Sequence, residues 1–258
     1  MPISSQSLSH AAPIIIAHRG FSDEAPENSL AAFQKAIDAK SDMIELDVRL
    51  SADNIPVIFH DRRLQRTSDG NGAVNQKHSR LLTEIDNGSW FSPKFSHERI
   101  PLLSDVFPLL KKDLRLNIEI KPDVVSTIDV SAVELVVAEA EKAKVLSKVI
   151  FTSFNHQMIK EISEIDENIT TGVIYNPITH FRKSPSTLVK NSRAKIFVCS
   201  KFQVNSDVVA DLHDAGYILY VYGVKTGRDV QRMLDLRADG IICNDPKFVR
   251  ETIDLLTR

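Results

Sequence analysis

The chain has 258 residues, of which 43% are hydrophobic and 26% charged, the mixture of a folded globular protein long enough to bury a sizeable core. Its formal net charge of −2 argues against wholesale binding to nucleic acid or to an anionic membrane. Any phosphate recognition must therefore come from a few placed cations. The two cysteines, Cys199 and Cys243, lack a motif-like spacing, and we expect reduced thiols in a cytoplasmic protein.

The N-terminal segment 1–12 is polar and rich in serine, with no basic region of the kind that begins a signal peptide. The apolar run that follows it, 13–17, is too short to cross a membrane. We therefore expect a disordered tail over 1–12, a single domain over 13–258, and no stable membrane insertion.

From residue 13 onward, short β-branched runs alternate with segments of helical period. The runs predict strands at 13–17, 43–49, 55–59, 114–120, 148–152, 169–174, 195–198, 217–222 and 240–243. The other segments predict helices near 28–40, 102–112, 128–144, 155–165, 205–215, 226–236 and 246–257. About eight strand–helix units in about 250 residues favour an α/β fold of the (β/α)₈ TIM-barrel type. A doubly wound sheet usually has a glycine-rich turn after its first strand, and the sequence AHRGF at 17–21 is not one.

One stretch, 62–101, breaks this rhythm. It contains several turn-forming residues and the only tryptophan, Trp90, but no convincing strand–helix pair. It is too long for an ordinary barrel loop, and its apolar residues argue against a floppy one. We expect a compact insertion near the catalytic mouth that walls one side of a pocket.

Two predicted barrel strands carry acidic residues on one face. In the first, Glu45 and Asp47 alternate with apolar residues, and in the second Asn117, Glu119 and Lys121 do so. An edge strand with a solvated polar face could give the first pattern, but its recurrence on a second strand favours a shared site. Because buried acids need compensation, three convergent carboxylates predict a site for one divalent cation, Mg²⁺ or Ca²⁺.

Two histidines, His18 and His60, each follow a predicted strand, and we place both at the carboxyl ends of barrel strands, where such folds keep their active sites. Together they offer a general base and a general acid near neutral pH. Arg19 and Lys121 are the cations placed beside the acids, and both suit phosphate binding. The remaining histidines fall in predicted loops or helices and are expected at the surface: His10, His78, His97, His156, His180 and His213.

These motifs, in this order and spacing, resemble those of the glycerophosphodiester phosphodiesterase family, part of the phospholipase C-like phosphodiesterase superfamily. They are HRG at 18–20, PENS at 26–29, ELDV at 45–48, HD at 60–61 and EIK at 119–121. Further similar pieces lie at 88–91, 99–101 and 239–242. Each piece is weakly specific, but the ordered set is highly specific and runs across nearly the whole chain.

The resemblance implies a TIM barrel with one bound divalent cation that hydrolyses small glycerophosphodiesters to sn-glycerol 3-phosphate and an alcohol. The implied metal ligands are Glu45, Asp47 and Glu119, the acid–base pair is His18 and His60, the phosphate-binding residues are Arg19 and Lys121, and Glu27 orients the first loop. Where the family commonly carries Trp-Thr near the seventh strand, this chain has Tyr222-Gly223, and we assign Tyr222 to substrate binding.

Other functions fit parts of the pattern. A phosphatidylinositol-type phospholipase C or a lysophospholipase D would share the barrel, but such enzymes usually need an apolar interfacial surface, which the sequence alone does not identify. A glycosidase would use two carboxylates but gives no reason for paired histidines and phosphate-seeking cations. A non-catalytic barrel that binds a phospho-ligand would have no need of both histidines and all three acids.

Overall fold

The computed structural model describes residues 12–111, 113–122 and 129–257, so the predicted N-terminal tail lies outside these ranges except for Ala12. Eight parallel strands form a closed barrel, because the first strand pairs with both the second and the last. The strands are β1 (Ile14–Ala17), β2 (Met43–Leu50), β3 (Pro56–Ile58), β4 (Arg115–Ile120), β5 (Val149–Ser153), β6 (Thr170–Ile174), β7 (Ile196–Ser200), β8 (Ile218–Tyr222) and β9 (Gly240–Cys243). The TIM-barrel prediction is confirmed.

Apart from the second, which lies in the insertion, the helices follow barrel strands and pack on the outside. They are α1 (Leu30–Asp38), α2 (Ser79–Leu82), α3 (Asp129–Lys142), α4 (His156–Ile165), α5 (Pro185–Asn191), α6 (Ser206–Asp214), α7 (Gly227–Asp235) and α8 (Pro246–Leu256). The helix predicted at 102–112 is wrong. Two 3₁₀ turns, Leu103–Asp105 and Phe107–Leu109, occupy that stretch, because Pro108 interrupts the helical hydrogen bonds.

The sequence pattern missed α5, which has only seven residues and therefore little periodicity to detect. Pro185 at its first turn is a recognisable start signal, because proline fits the first helical position without losing a hydrogen bond.

The run at 55–59 is not a barrel strand. β3 pairs antiparallel with the outer part of β2, with Val48 opposite Ile58 and Leu50 opposite Pro56. The five residues 51–55 that join the two strands are too few for a parallel crossover, so only a hairpin can form. β2 thus extends past the barrel, and β3 brings the chain back towards it.

Two apolar layers stabilise the barrel. The larger lies between the strands and the outer helices, and the smaller fills the barrel interior. Met43 belongs to the interior layer, and Glu45 and Asp47 follow it on the same face of β2. The interior is therefore apolar at its base and acidic towards the carboxyl ends of the strands, an end that we call the mouth.

The insertion is compact and shares a small core with the β3 segment. This core consists of Val57 and Phe59 from that segment and of Leu64, Val74, Leu82 and Ile100 from the insertion. Asp53, in the β2–β3 turn, accepts hydrogen bonds from the backbone and hydroxyl of Ser79 at 2.6 and 2.7 Å and so holds α2 against the hairpin. Within the described ranges, no helix has the length and apolar character needed to cross a membrane.

Candidate active site

Three carboxylates converge at the mouth. Glu45 and Asp47 lie on β2, Glu119 lies on β4, and the strand register places Asp47 beside Glu119. All three residues are buried, and one oxygen from each lies within 4.8 Å of the others. This set of hard oxygen ligands is of the kind that Mg²⁺ and Ca²⁺ prefer.

The charges at this cluster leave room for a cation. Glu45 Oε1 is buried without a hydrogen-bond partner, while Glu45 Oε2 accepts a hydrogen bond from the Arg19 backbone at 2.8 Å. Burial and the neighbouring Asp47 and Glu119 raise the pKa of Glu45 well above its usual range, and burial also raises the pKa of Glu119. The positive charges of Arg19 and Lys121 therefore do not balance the negative charges of Glu45 and Glu119. The three carboxylates suit a divalent cation.

Lys121 and Arg19 act mainly on the third carboxylate. Lys121 Nζ lies 2.8 Å from Asp47 Oδ1 and also contacts Glu119 Oε1, and Arg19 Nε lies 3.3 Å from Asp47 Oδ2. Burial alone would raise the pKa of Asp47, but these two cations overcome it and hold that pKa well below its usual range. Asp47 is therefore ionised and ready to act as a ligand.

Asn28 lies in the PENS motif at 26–29, but the sequence did not reveal its role in the site. Ser29 provides the cap by accepting a hydrogen bond from Ala32. Asn28 is buried with a φ of +57°, a conformation that asparagine tolerates better than most residues. Its amide donates to Asp47 Oδ2 at 2.7 Å. Asn28 thereby fixes the orientation of the Asp47 carboxylate.

His18 follows β1 and is oriented by a residue that follows the neighbouring β9. Its Nδ1 lies 2.8 Å from Asn244 Oδ1. An amide oxygen only accepts hydrogen bonds, so Nδ1 carries the proton and Nε2 of the neutral ring keeps its lone pair. Burial lowers the pKa of His18 to about 4, which keeps the ring neutral near pH 7.

His60 reaches the mouth by a different route from the predicted one, at the end of the antiparallel β3. Its Nδ1 lies 2.5 Å from Asp61 Oδ1, and its carbonyl accepts hydrogen bonds from Arg49 Nε and Nη2 at 3.0 and 2.8 Å. Burial lowers the pKa of His60, whereas Asp47 acts to raise it. Like His18, this ring has its Nδ1 occupied and its Nε2 available.

A chain of ion pairs connects the loop that follows β1 with the segment that follows β3. Arg66, from the insertion, donates to Glu27 Oε1 at 2.6 Å and to Asp61 Oδ2 at 2.7 Å. Arg19 Nη1 donates to the same Glu27 oxygen at 2.7 Å. Arg66 thus links the Asp61–His60 pair to Arg19 through Glu27. Partial burial alone would raise the pKa of Asp61, but Arg66 and His60 hold it at about 2.

The predicted role of Glu27, to orient the first loop, agrees with these contacts. Besides Arg19 and Lys121, two further cations lie at the mouth: Arg49 donates to the His60 carbonyl, and Arg66 pairs with Glu27 and Asp61. Arg49 follows Glu45 and Asp47 in the alternation of β2, whereas Arg66 lies in the insertion, whose path the strand and helix periods do not determine.

Tyr222 ends β8 on the face that points into the barrel, beside Ser200 and Ile242. Burial raises the pKa of its hydroxyl, and the nearby Cys199 and Glu119 add to that shift. Gly223 has a φ of +82° and open space where a Cβ would stand. A residue with a side chain would be strained in this conformation, so the turn after Tyr222 favours glycine.

The prediction that His156 and His180 are surface residues is wrong. His180 is buried, and the two rings stack with centroids 3.9 Å apart. His156 Nε2 lies 3.0 Å from the carbonyl of Ile174, and His180 Nδ1 accepts a hydrogen bond from the Asn176 backbone at 3.1 Å. The pair joins the connections that follow β5 and β6.

Known proteins match this chain along most of its length. The sequence model of the glycerophosphoryl diester phosphodiesterase family matches residues 18–248. A glycerophosphodiester phosphodiesterase of Caldanaerobacter subterraneus subsp. tengcongensis is 32% identical over 235 residues, which cover 91% of this chain and 95% of that protein. An Oleispira antarctica phosphodiesterase, solved in complex with the product sn-glycerol-3-phosphate, is 26% identical with a TM-score of 0.86 and coverage of 94% and 97%. A glycerophosphodiester phosphodiesterase from Agrobacterium tumefaciens is 25% identical with a TM-score of 0.80 and coverage of 93% and 99%. The chain belongs to the glycerophosphoryl diester phosphodiesterase family.

Proposed function

We propose that this protein hydrolyses glycerophosphodiesters to sn-glycerol 3-phosphate and a free alcohol, with one divalent cation, Mg²⁺ or Ca²⁺, and with His18 and His60 as the acid–base pair. The observation that carries the proposal is the pairing of two histidines, each held through Nδ1, with a buried cluster of three carboxylates. The product bound to the Oleispira antarctica phosphodiesterase supports the same product class.

Glu45, Asp47 and Glu119 would hold the cation. When bound, it supplies positive charge that stabilises the non-bridging phosphate oxygens as negative charge develops on them. Arg19 and Lys121 contribute in the same direction, because their charges border the carboxylate cluster. Tyr222 contributes part of the wall that contacts the glycerol or the leaving alcohol.

The two histidines move the protons through Nε2. One histidine removes a proton from the attacking hydroxyl, and the other donates a proton to the oxygen of the departing alcohol. Asn244 and Asp61 keep each ring in the required tautomer and orientation, as outer partners commonly do for catalytic histidines.

We further propose that the first nucleophile is the substrate's own 2-hydroxyl. Its oxygen bonds to phosphorus, the bond from phosphorus to the alcohol oxygen breaks, and a five-membered cyclic phosphate forms. Water then attacks phosphorus and the bond from phosphorus to the 2-oxygen breaks, which leaves sn-glycerol 3-phosphate, while the histidines exchange roles. An internal nucleophile of this kind has an effective molarity on the order of 10⁵ M or more when it is well oriented.

The test is an assay of glycerol 3-phosphate release from glycerophosphocholine, glycerophosphoethanolamine and glycerophosphoglycerol, with and without EDTA. We expect release from at least one substrate, its loss in EDTA, and its recovery with Mg²⁺ or Ca²⁺, since three convergent carboxylates repel one another without a cation. Asp47→Asn, which keeps the side-chain shape, should abolish the recovery. Full activity in EDTA after dialysis, or products in which the phosphate stays on the head group, would contradict the proposal.

A further inference from the structure

Large apolar side chains stand exposed around one side of the mouth. Phe154 is 37% exposed, Ile178 86%, Phe181 69% and Phe202 87%. We call these four residues the apolar rim. Isolated exposed apolar residues are common on soluble proteins, but a group gathered at one site marks an interaction surface.

The fold brings the rim together. Phe154 follows β5, Ile178 and Phe181 follow β6, and Phe202 follows β7, and these three strands are neighbours in the barrel. The stacked rings of His156 and His180 join the first two connections at 3.9 Å. Because all the barrel strands are parallel, the rim lies at the same end as the candidate active site.

The connections that carry the rim, and the next one, contain no acidic residue. They span 154–155, 175–184, 201–205 and 223–226. Their cations are Arg182, Lys183, Lys201 and Lys225, of which Lys201 pairs with Asp229 at 2.8 Å. Among the residues that the structure describes, no ion pair involves the other three, and all three are exposed. The net charge of −2 therefore conceals a local excess of positive charge.

The opposite side of the mouth carries charges of both signs. Asp23, Glu24 and Glu27 lie with Arg19 after β1, and Asp61 lies with Arg66 after β3. Arg19 and Arg66 form ion pairs with Glu27, and Arg66 also pairs with Asp61, whereas the rim side combines apolar residues with an excess of positive charge.

Aromatic and cationic groups are interleaved within the rim itself. The Arg182 guanidinium lies over the Phe181 ring at 5.4 Å, and Lys201 Nζ lies over the Phe202 ring at 5.1 Å. Protein interfaces are generally depleted of lysine, whereas surfaces that rest on membranes combine Phe and Leu with Lys and Arg. Apolar side chains enter the acyl boundary of a membrane, and the cations pair with anionic head groups.

We propose that the apolar rim and its flanking cations dock the mouth of the barrel onto an anionic phospholipid surface. Docking is peripheral and reversible and goes beyond the proposed function, since it requires no turnover. It turns the mouth towards the membrane, so that the site opens where phosphodiester head groups are concentrated.

The experiment measures sedimentation of the full chain with vesicles of phosphatidylcholine alone and of phosphatidylcholine mixed with phosphatidylglycerol. We expect the mixed vesicles to bind at least ~10-fold more strongly, and added salt to weaken the binding. The triple variant Ile178→Ser/Phe181→Ser/Phe202→Ser and the charge variant Lys183→Glu/Lys225→Glu should each bind at least ~10-fold more weakly.

Matched controls lie at the other end of the barrel. Leu255→Ser removes an apolar residue that is 70% exposed at the end of α8, and Lys142→Glu/Lys190→Glu reverses two exposed charges at the ends of α3 and α5. Both controls should bind mixed vesicles like the wild type. All variants should hydrolyse a soluble glycerophosphodiester within about twofold of the wild-type rate, because none alters the catalytic groups.

Absent or composition-independent vesicle binding would overturn the docking proposal, as would wild-type binding by the triple variant. A concentration-dependent dimer that the triple variant abolishes, without vesicle binding, would assign the rim to a second copy of the chain and overturn it equally. These outcomes leave hydrolysis of the soluble substrate intact. Normal vesicle binding by a wild-type protein without hydrolysis would instead support docking and overturn the proposed function.

Discussion

Asn28 and Asp47 exchange two hydrogen bonds, from Asn28 Nδ2 to Asp47 Oδ2 at 2.7 Å and from the Asp47 backbone to Asn28 Oδ1 at 3.2 Å. The side chain that follows the first loop therefore fixes both the backbone and the carboxylate of a candidate metal ligand.

Replacing Asn28 should weaken metal binding. Asn28→Gly is the informative variant, because glycine accepts the φ of +57° without strain and loses only the amide contacts. We expect affinity for Mg²⁺ or Ca²⁺, measured by titration calorimetry, to fall about 10–100-fold, as for other outer partners of metal ligands. Ser29→Gly, which removes the neighbouring cap, serves as a control that should lower stability more than metal affinity. Unchanged metal affinity in Asn28→Gly would remove Asn28 from the site.

The proposed roles of His18 and His60 as acid and base can be distinguished by how each variant's activity depends on the leaving group. His18→Ala and His60→Ala should each lower kcat by about 10²–10⁴-fold, the usual contribution of a positioned acid or base. The double variant should lose far less than the product of the two, since the residues act as a unit. With a p-nitrophenyl ester, whose leaving group needs no proton, only the variant that lacks the acid should recover. A wild-type kcat in either single variant would show that this histidine is neither the acid nor the base and has a structural role.

Arg66 should act as a positioning residue through Asp61. Arg66→Lys keeps the charge but cannot reach both Glu27 and Asp61, so we expect kcat to fall about 10-fold with little change in KM. Because Arg66 helps to lower the pKa of Asp61, its loss should also move the acid limb of the pH–rate profile to higher pH. Arg63→Lys, in the same insertion, should leave both quantities unchanged. A merely structural role for Arg66 would lower thermal stability without moving the pH profile.

An analogue without the 2-hydroxyl tests the cyclic route. It should bind as the substrate does but turn over at least ~10²-fold more slowly, because the internal nucleophile is lost. Competition against glycerophosphocholine measures its binding, and alcohol release measures its turnover. Near-normal hydrolysis would exclude the cyclic phosphate and leave water as the direct nucleophile.

The stacked histidine pair predicts a loss of stability in acid. Burial lowers the pKa of His156 from its usual 6.5 to about 4. Below pH 6.5 the unfolded chain therefore binds a proton that the folded ring refuses. The contribution of His156 is complete above pH 6.5 and is lost as the pH falls towards 4.

The comparison is with His156→Gln. Its stability should depend less on pH between 6.5 and 4 than that of the wild type, by about 1 kcal/mol when the partial exposure of the ring is taken into account. Thermal unfolding across this range measures the difference. His97→Gln, at an exposed position, should follow the wild type, and an identical pH dependence for His156→Gln would contradict the prediction.

The sequence predicts the position of a side chain best where the residue lies in a strand or helix, because the period of that element determines which face the side chain occupies. Alternation along β2 and β4 was enough to place Glu45, Asp47 and Glu119 on one face, and the parallel register then brings Asp47 beside Glu119. The roles of Asn28 and Arg66 could not be predicted, because both residues lie in segments without a period, where position depends on the path of the loop. The stacking of His156 on His180 could not be predicted for the same reason, since it joins two separate connections.

The β2–β3 turn sets a limit on how this chain can vary in length. Side chains alternate between the two faces of a hairpin, so a one-residue insertion or deletion within 51–55 would carry His60 to the opposite face while the carboxylates stayed in place. The insertion at 62–101 begins after His60, so a change in its length does not alter that register. Insertions and deletions among relatives are therefore expected between residues 62 and 101 rather than in the turn, where one additional codon would separate His60 from the carboxylate cluster.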